Sequence, residues 1–211
     1  MTVALPPAVA EVTRLILVRH GEPDERVRGR CYGQLDPGLS SRGREQMRGT
    51  WPLLDNQPVA AIYSSPSRRA VESTNLRAAD TPGVVVDDRL REIDFGEFEG
   101  LTFREISSRY PKMYEEWMTR PTSVAFPGGE SFAAMSARVR SAFDHIRVLH
   151  SGTTVAIVSH GGVNRVALAA ALDLDARHIF RLDQAYACVN VIDYFGDQPL
   201  VRVMNASVGP C

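Results

Sequence analysis

Lysine is almost missing from this chain of 211 residues: Lys112 stands alone among 24 basic residues, and the other 23 are arginines. Genomic composition accounts for most of that bias, since an anion-handling site would use only a few of them. Cysteine is scarce as well. Cys31, Cys188 and Cys211 are odd in number and lack metal-ligand spacing, which argues against a disulfide framework and a zinc ribbon. They fit reduced thiols, so a cytoplasmic location is expected. No apolar run approaches the ~20 residues that a membrane span requires. Excess charge of one sign is missing too: the net charge is −1, so no global field draws nucleic acid or a membrane surface. Internal repeats and low-complexity tracts are absent. The opening MTVALPPAVAEVTR has no basic n-region and carries two prolines. It reads as a flexible leader over 1–13 rather than a signal peptide.

What is present fits one sizeable core, with hydrophobic residues at 44% and charged residues at 23%. Arg14–His20, RLILVRH, is a short aliphatic run of the kind that forms a strand buried on both faces. Ser40 or Ser41 caps a helix reaching about Trp51. Val59–Ser65 is a second buried strand. In the helix after it, Ser65 is a natural N-cap and Pro66 the first helical residue. VVVDDRL is a third, shorter strand. Over about 94–149 the character changes to a helical insertion. Thr102 and Glu105 form a capping box there. Ser131 opens a longer helix with Phe132, Met135, Val139, Phe143, Ile146 and Leu149 at helical spacing. Thr153–His160 is a fourth strand, GGVNRVALAAAL the helix after it, and CVNVIDYF with PLVRVMN a closing strand pair. Strands separated by helices predict an α/β fold: a three-layer α/β/α sandwich with a mostly parallel central sheet.

In such sheets ligands bind beyond the carboxyl ends of the strands. His20 and His160 sit at two of these ends, and a glycine follows each. A lone histidine is usually structural, but this repeated placement is not ordinary. After His160 the chain passes through Gly161 and Gly162 into a helix amino terminus, a natural anion site. His145, His150 and His178 have no such setting.

VRHGE, SSPSRRA, LREIDFGEFEG and VSHGG, in that order from Arg19 to Gly162, resemble the motifs of the histidine phosphatase superfamily, also called phosphoglycerate-mutase-like. The resemblance implies a metal-independent phosphomonoesterase without a cofactor. In it, His20 is the nucleophile and becomes a phosphohistidine. Arg19 and Arg69 match the phosphate clamps; Arg69 is preferred to Arg68 because the family places arginine directly before alanine. His160 matches the histidine that stabilises the transferring group, and Glu92 the general acid/base. Glu22, Asp94, Glu97 and Glu99 are read as surface charges or as supports of other site residues.

Pro23 and Arg26 stand where mutases of the family usually carry serine and asparagine, which favours hydrolysis over phosphoglycerate-mutase-type transfer. GRCYGQLDPGLSSRG and FRLDQAYACVNVIDY resemble the α-ribazole phosphatases and their broad-specificity relatives. Cys31, Tyr32, Gly33, Gly129, Glu130 and Ser131 could then line the substrate mouth, with Gly161 beside the phosphate; Ser131 serves equally well as a helix cap. The expected partner is a small phosphorylated metabolite, not nucleic acid or membrane. A homodimer, a protein phosphohistidine phosphatase and a non-catalytic phospho-ligand binder all remain open.

Overall fold

Leu15, Ile16, Leu17 and Val18 occupy the middle of strand β1 (Val12–Arg19), and all four are buried. Successive side chains of a strand point to opposite faces. Leu15 and Leu17 therefore enter one core, while Ile16 and Val18 enter a second on the other side of the sheet. The computed structural model describes residues 11–55, 57–77 and 82–207. Its six strands lie in the order β3-β2-β4-β1-β5-β6, with β2 at Val59–Ser64, β3 at Val84–Val86, β4 at Thr154–Ser159, β5 at Val189–Phe195 and β6 at Gln198–Ala206. The pairings β3/β2, β2/β4 and β4/β1 are parallel, whereas β1/β5 and β5/β6 are antiparallel.

Helices cover both faces, as a sheet buried on both sides requires. Helices α1 (Ser41–Thr50) and α2 (Arg68–Thr74) bring Met47 and Ala70 to the core of Ile16 and Val18. The opposite core takes Ile106 from α3 (Phe103–Arg109), Met135, Val139, Phe143 and Ile146 from α5 (Phe132–Leu149), and Val163, Val166 and Ala167 from α6 (Gly161–Ala171). Between α3 and α5 lies α4 (Pro111–Thr119). No helix among the described residues is long and apolar enough to cross a membrane.

The expected caps at Ser40, Thr102/Glu105 and Ser131 are present, each accepting from a backbone N–H three residues on. Ser65 and Pro66 are different. Helix α2 starts at Arg68, and Ser65 stays extended because its N–H donates to Val158 O (2.9 Å), one last rung against β4. The leader also changes. Residues 1–10 lie outside the described residues, but Val12 and Thr13 are the first residues of β1, paired with Phe195 and Tyr194 of β5. The antiparallel β5–β6 hairpin offers an edge that extends β1 backwards, and buried Thr13 accepts at Oγ1 from Gly152 N–H (3.0 Å). Cys31 and Cys188 are free and buried; Cys211 lies outside the described residues.

Candidate active site

Three parallel strands, β2, β4 and β1, end side by side, and their ends build the site. The β1/β4 register pairs Arg19 with Ser159, so the next residues, His20 and His160, become neighbours. Their ring centroids lie 5.1 Å apart at an interplanar angle of 65°. Both histidines are buried, and both are held neutral, well below the usual histidine range. Loss of water is the main cause, reinforced by the positive charges of Arg69 and Arg19.

The hydrogen bonds fix how each ring can act. His20 Nδ1–H donates to Gly21 O (2.7 Å), which leaves Nε2 as the nitrogen with the lone pair. His160 Nδ1 accepts from Arg69 Nη2 (3.3 Å), so its Nε2–H donates to Ser65 Oγ (2.8 Å). Ser65 is thus a support for His160, a role its expected capping position concealed. Added side chains would collide at two nearby glycines. A Cβ at Gly21 would strike the Gly43 carbonyl, and one at Gly162 would strike the Glu92 carboxylate. Close approach is the reason for glycine there; neither backbone is left-handed.

Arg69 is fully buried. It donates from Nη1 to Leu35 O (3.0 Å) and from Nη2 to Gly33 O (3.1 Å), and it lies over the Tyr32 ring. That loop is itself organised by Glu99, whose carboxylate accepts from the N–H groups of Gly33, Gln34 and Leu35. Arg19 donates to Gln184 O and packs 4.0 Å from the centre of the Tyr186 ring. Among the described residues neither guanidinium pairs with a carboxylate, and the Nε of each is buried without a partner. Burying a charge without a counter-charge is costly. Two such cations facing one pocket are what an incoming anion would neutralise.

The pocket has a volume of about 300 Å³, and Arg19, His20, Cys31, Tyr32, Arg69, Glu92 and His160 are among its walls. Glu92 enters after a short turn at Asp88–Leu90, and its carboxylate accepts from the N–H groups of Ile93 (3.0 Å) and Gly162 (3.1 Å). Gly161 begins α6 within reach of Arg19 and Arg165, so a helix amino terminus also faces the pocket. Cys31 is no nucleophile near neutral pH, because burial pushes its thiol up to about 12.

Four expected mouth residues, Gly33, Gly129, Glu130 and Ser131, do not line the pocket, and Ser131 serves as the helix cap instead. Glu130 is held by Arg138, with Nε to Oε1 and Nη2 to Oε2 both at 2.7 Å. Arg138 also donates to the carbonyls of Arg89, Arg91 and Glu92, so Glu130 braces the Glu92 segment and does not meet the pocket. Gly33 acts through its backbone, joining Arg69 to Glu99. Pro23 bridges to Leu39, and Arg26 pairs with Asp24 (2.8 Å); neither lines the pocket.

The structure adds residues that local sequence did not single out. Tyr186 OH and Tyr32 OH meet at 2.7 Å, so the two tyrosines under the two arginines are joined, with the Tyr186 ring 5.8 Å from that of His20. Tyr186 lies in the FRLDQAYACVNVIDY segment, which was the available signal. Arg165, one helical turn into α6, donates from Nε to Leu182 O (2.7 Å) and lines the pocket, again without a carboxylate partner among the described residues. Its place five residues after His160 was the only hint.

The chain resembles several known proteins in sequence and in fold. The chain is 38% identical over 196 residues to a bifunctional protein of Mycobacterium tuberculosis; the match takes in 92% of the chain but spans only 54% of that relative. Phosphoserine phosphatase 1 of Hydrogenobacter thermophilus is 36% identical over 165 residues, 78% of each protein. The crystal structure of the α-ribazole phosphatase from Shigella flexneri superposes with a TM-score of 0.84 at 28% identity, covering 93% of this chain and 98% of that one. Residues 15–207, from the first core residue of β1 past the end of β6, match the model of one family. The chain therefore belongs to the histidine phosphatase superfamily, branch 1.

Proposed function

We propose that the protein is a phosphomonoesterase that hydrolyses small phosphorylated metabolites through a phosphohistidine on His20. The observation that carries this is the pinned His20 ring: Nδ1 is committed to Gly21 O, so Nε2 is directed to attack in a pocket of unpaired guanidiniums. The phosphoserine and α-ribazole phosphatases among its relatives support hydrolysis as the outcome.

The chemistry proceeds in two displacements. His20 Nε2 donates its lone pair to phosphorus while the bond from phosphorus to the ester oxygen breaks, and Glu92 gives its proton to the departing alkoxide. Arg19, Arg69 and the amino terminus of α6 carry the charge that develops on the phosphoryl oxygens, and His160 joins them as its Nε2–H exchanges Ser65 Oγ for a phosphoryl oxygen. Water then attacks phosphorus and loses a proton to Glu92, and the electron pair of the P–N bond returns to Nε2. Inorganic phosphate leaves and Glu92 is again protonated.

The test is turnover of O-phosphoserine, α-ribazole 5′-phosphate and p-nitrophenyl phosphate in EDTA, with an alkaline quench and mass spectrometry of the His20 peptide. Hydrolysis with a phosphorylated peptide that vanishes in His20→Ala is the expected result. Hydrolysis without any phosphorylated intermediate, or its persistence in His20→Ala, would overturn the mechanism.

A further inference from the structure

Behind Glu92 lies a second cavity, of about 140 Å³, walled by Phe95, Trp117, Phe126, Phe132, Met135 and Phe180. It shares Glu92, Phe95, Trp117 and Arg165 with the phosphate pocket, so the two spaces meet at the general acid. The aromatic walls brace one another: Phe95 and Phe126 meet edge to face with centroids 5.0 Å apart, and Trp117 and Phe126 do so at 5.3 Å. Its walls are mostly apolar, and a space of about 150 Å³ lined by apolar side chains accepts a benzene-sized molecule. A polyhydroxylated group placed there would lose its water without gaining hydrogen bonds, which disfavours sugar and glycerol moieties.

The position of Glu92 decides what enters. Its carboxyl must reach the ester oxygen as the bond to phosphorus breaks, and that oxygen therefore sits at the junction of the two cavities. With phosphorus held at His20, the organic part of the ester projects past Glu92 into the aromatic space. Arg165 lies where the two spaces meet. Its Nη1 lies toward Gly161 and Arg19, and its guanidinium packs over the Phe180 ring, 5.7 Å from the centroid. The cation serves the phosphate end, while Phe180 closes the apolar end.

We infer that the second cavity is the leaving-group site, and that it selects phosphate esters of alcohols carrying an apolar, ring-sized group one or two carbons from the ester oxygen. This rests on the phosphomonoesterase reading and narrows its substrate class.

The test compares kcat/KM for 2-phenylethyl phosphate and ethyl phosphate, whose alcohols are nearly equal in acidity, so that the difference reports binding rather than leaving-group chemistry. Burial of one phenyl ring predicts a preference of about tenfold or more for the phenylethyl ester. Phe132→Trp, which fills the cavity, should lower that ratio about tenfold. Phe180→Ala, at an exposed rim position, should lower it about threefold. The ratio depends only on active molecules, so partial misfolding does not disturb it; if Phe132→Trp yields no folded protein, Phe180→Ala decides. A wild-type ratio near one, or a ratio that Phe180→Ala leaves within experimental error, would overturn the inference while leaving hydrolysis intact. No turnover of either ester would overturn the inference too, and only the loss of p-nitrophenyl phosphate turnover as well would defeat the phosphatase reading itself.

Discussion

The two arginines of β1 are five residues apart and live in opposite electrostatic worlds. Arg14, near the start, grips Asp193 through Nε (2.7 Å) and Nη2 (2.9 Å) and donates to Gln57 (3.0 Å). Asp193 is buried and is held below the usual carboxylate range, chiefly by Arg14 and also by Arg202. Arg19, at the end, has a carbonyl and an aromatic face but no carboxylate among the described residues. A neutralised cation holds the fold together. A cation left without a counter-charge stores the cost of its burial until an anion arrives. The same contrast separates Arg138, paired with Glu130, from fully buried Arg69.

Variants can break or sharpen this comparison. His20→Ala should have the largest effect, lowering kcat on the order of 10⁴-fold or more, as measured with p-nitrophenyl phosphate. Arg19→Met and Arg69→Met should each lower kcat/KM by about 10²–10³-fold. Their thermal midpoints without ligand should hold or rise, and the stabilisation of wild type by added phosphate should disappear. A fall in midpoint as large as that of Arg14→Met would erase the contrast between the two ends of β1. Glu92→Gln should slow alkyl phosphates by about 10²-fold and p-nitrophenyl phosphate far less; equal slowing of both would remove Glu92 as the leaving-group acid.

Arg14→Met should behave in the opposite sense, costing about 1.5–3 kcal/mol of stability with kcat/KM within about twofold of wild type. Urea titration with parallel kinetics checks both halves. The remaining effect concerns pH. His20 and His160 stay neutral in the folded chain well below the ordinary histidine range, whereas both take up protons in the unfolded chain below about pH 6.5. The unfolded state then binds more protons, so stability should fall as pH drops through that value. The limiting slope is about 1.4 kcal/mol per pH unit for each histidine. A flat profile from pH 7.5 to about 5 would show that the pair is not held neutral.

Much of the fold was legible because its signals are local. Aliphatic runs, the Thr102/Glu105 box and the Ser40 and Ser131 caps each act within a few residues, and each lies where its pattern places it. The mostly parallel sheet and the helices on its two faces follow from strands that alternate with helices. His20, His160, Arg19, Arg69 and Glu92 could be named from strand-end motifs in family order, and all five line one pocket. Ser65 misled because its best local role, a helix cap, lost to a strand rung against Val158 and a bond to His160, 95 residues away. Glu130 misled because nothing near it in sequence announces Arg138 as its partner.

The amino-acid sequence by itself determined which strands would be buried, where the histidines would emerge and which chemistry their neighbours would suit. These depend on periodicity, on turn chemistry and on the side chains at strand ends. Only the tertiary structure decided which cations would go unpaired, which ring nitrogen of His20 would face the pocket, that Tyr32 would meet Tyr186 across 154 residues, and that an aromatic cavity would open behind Glu92. Charge balance, tautomer and cavity shape are set by whatever packs nearby in space, and in this chain those partners come from distant segments.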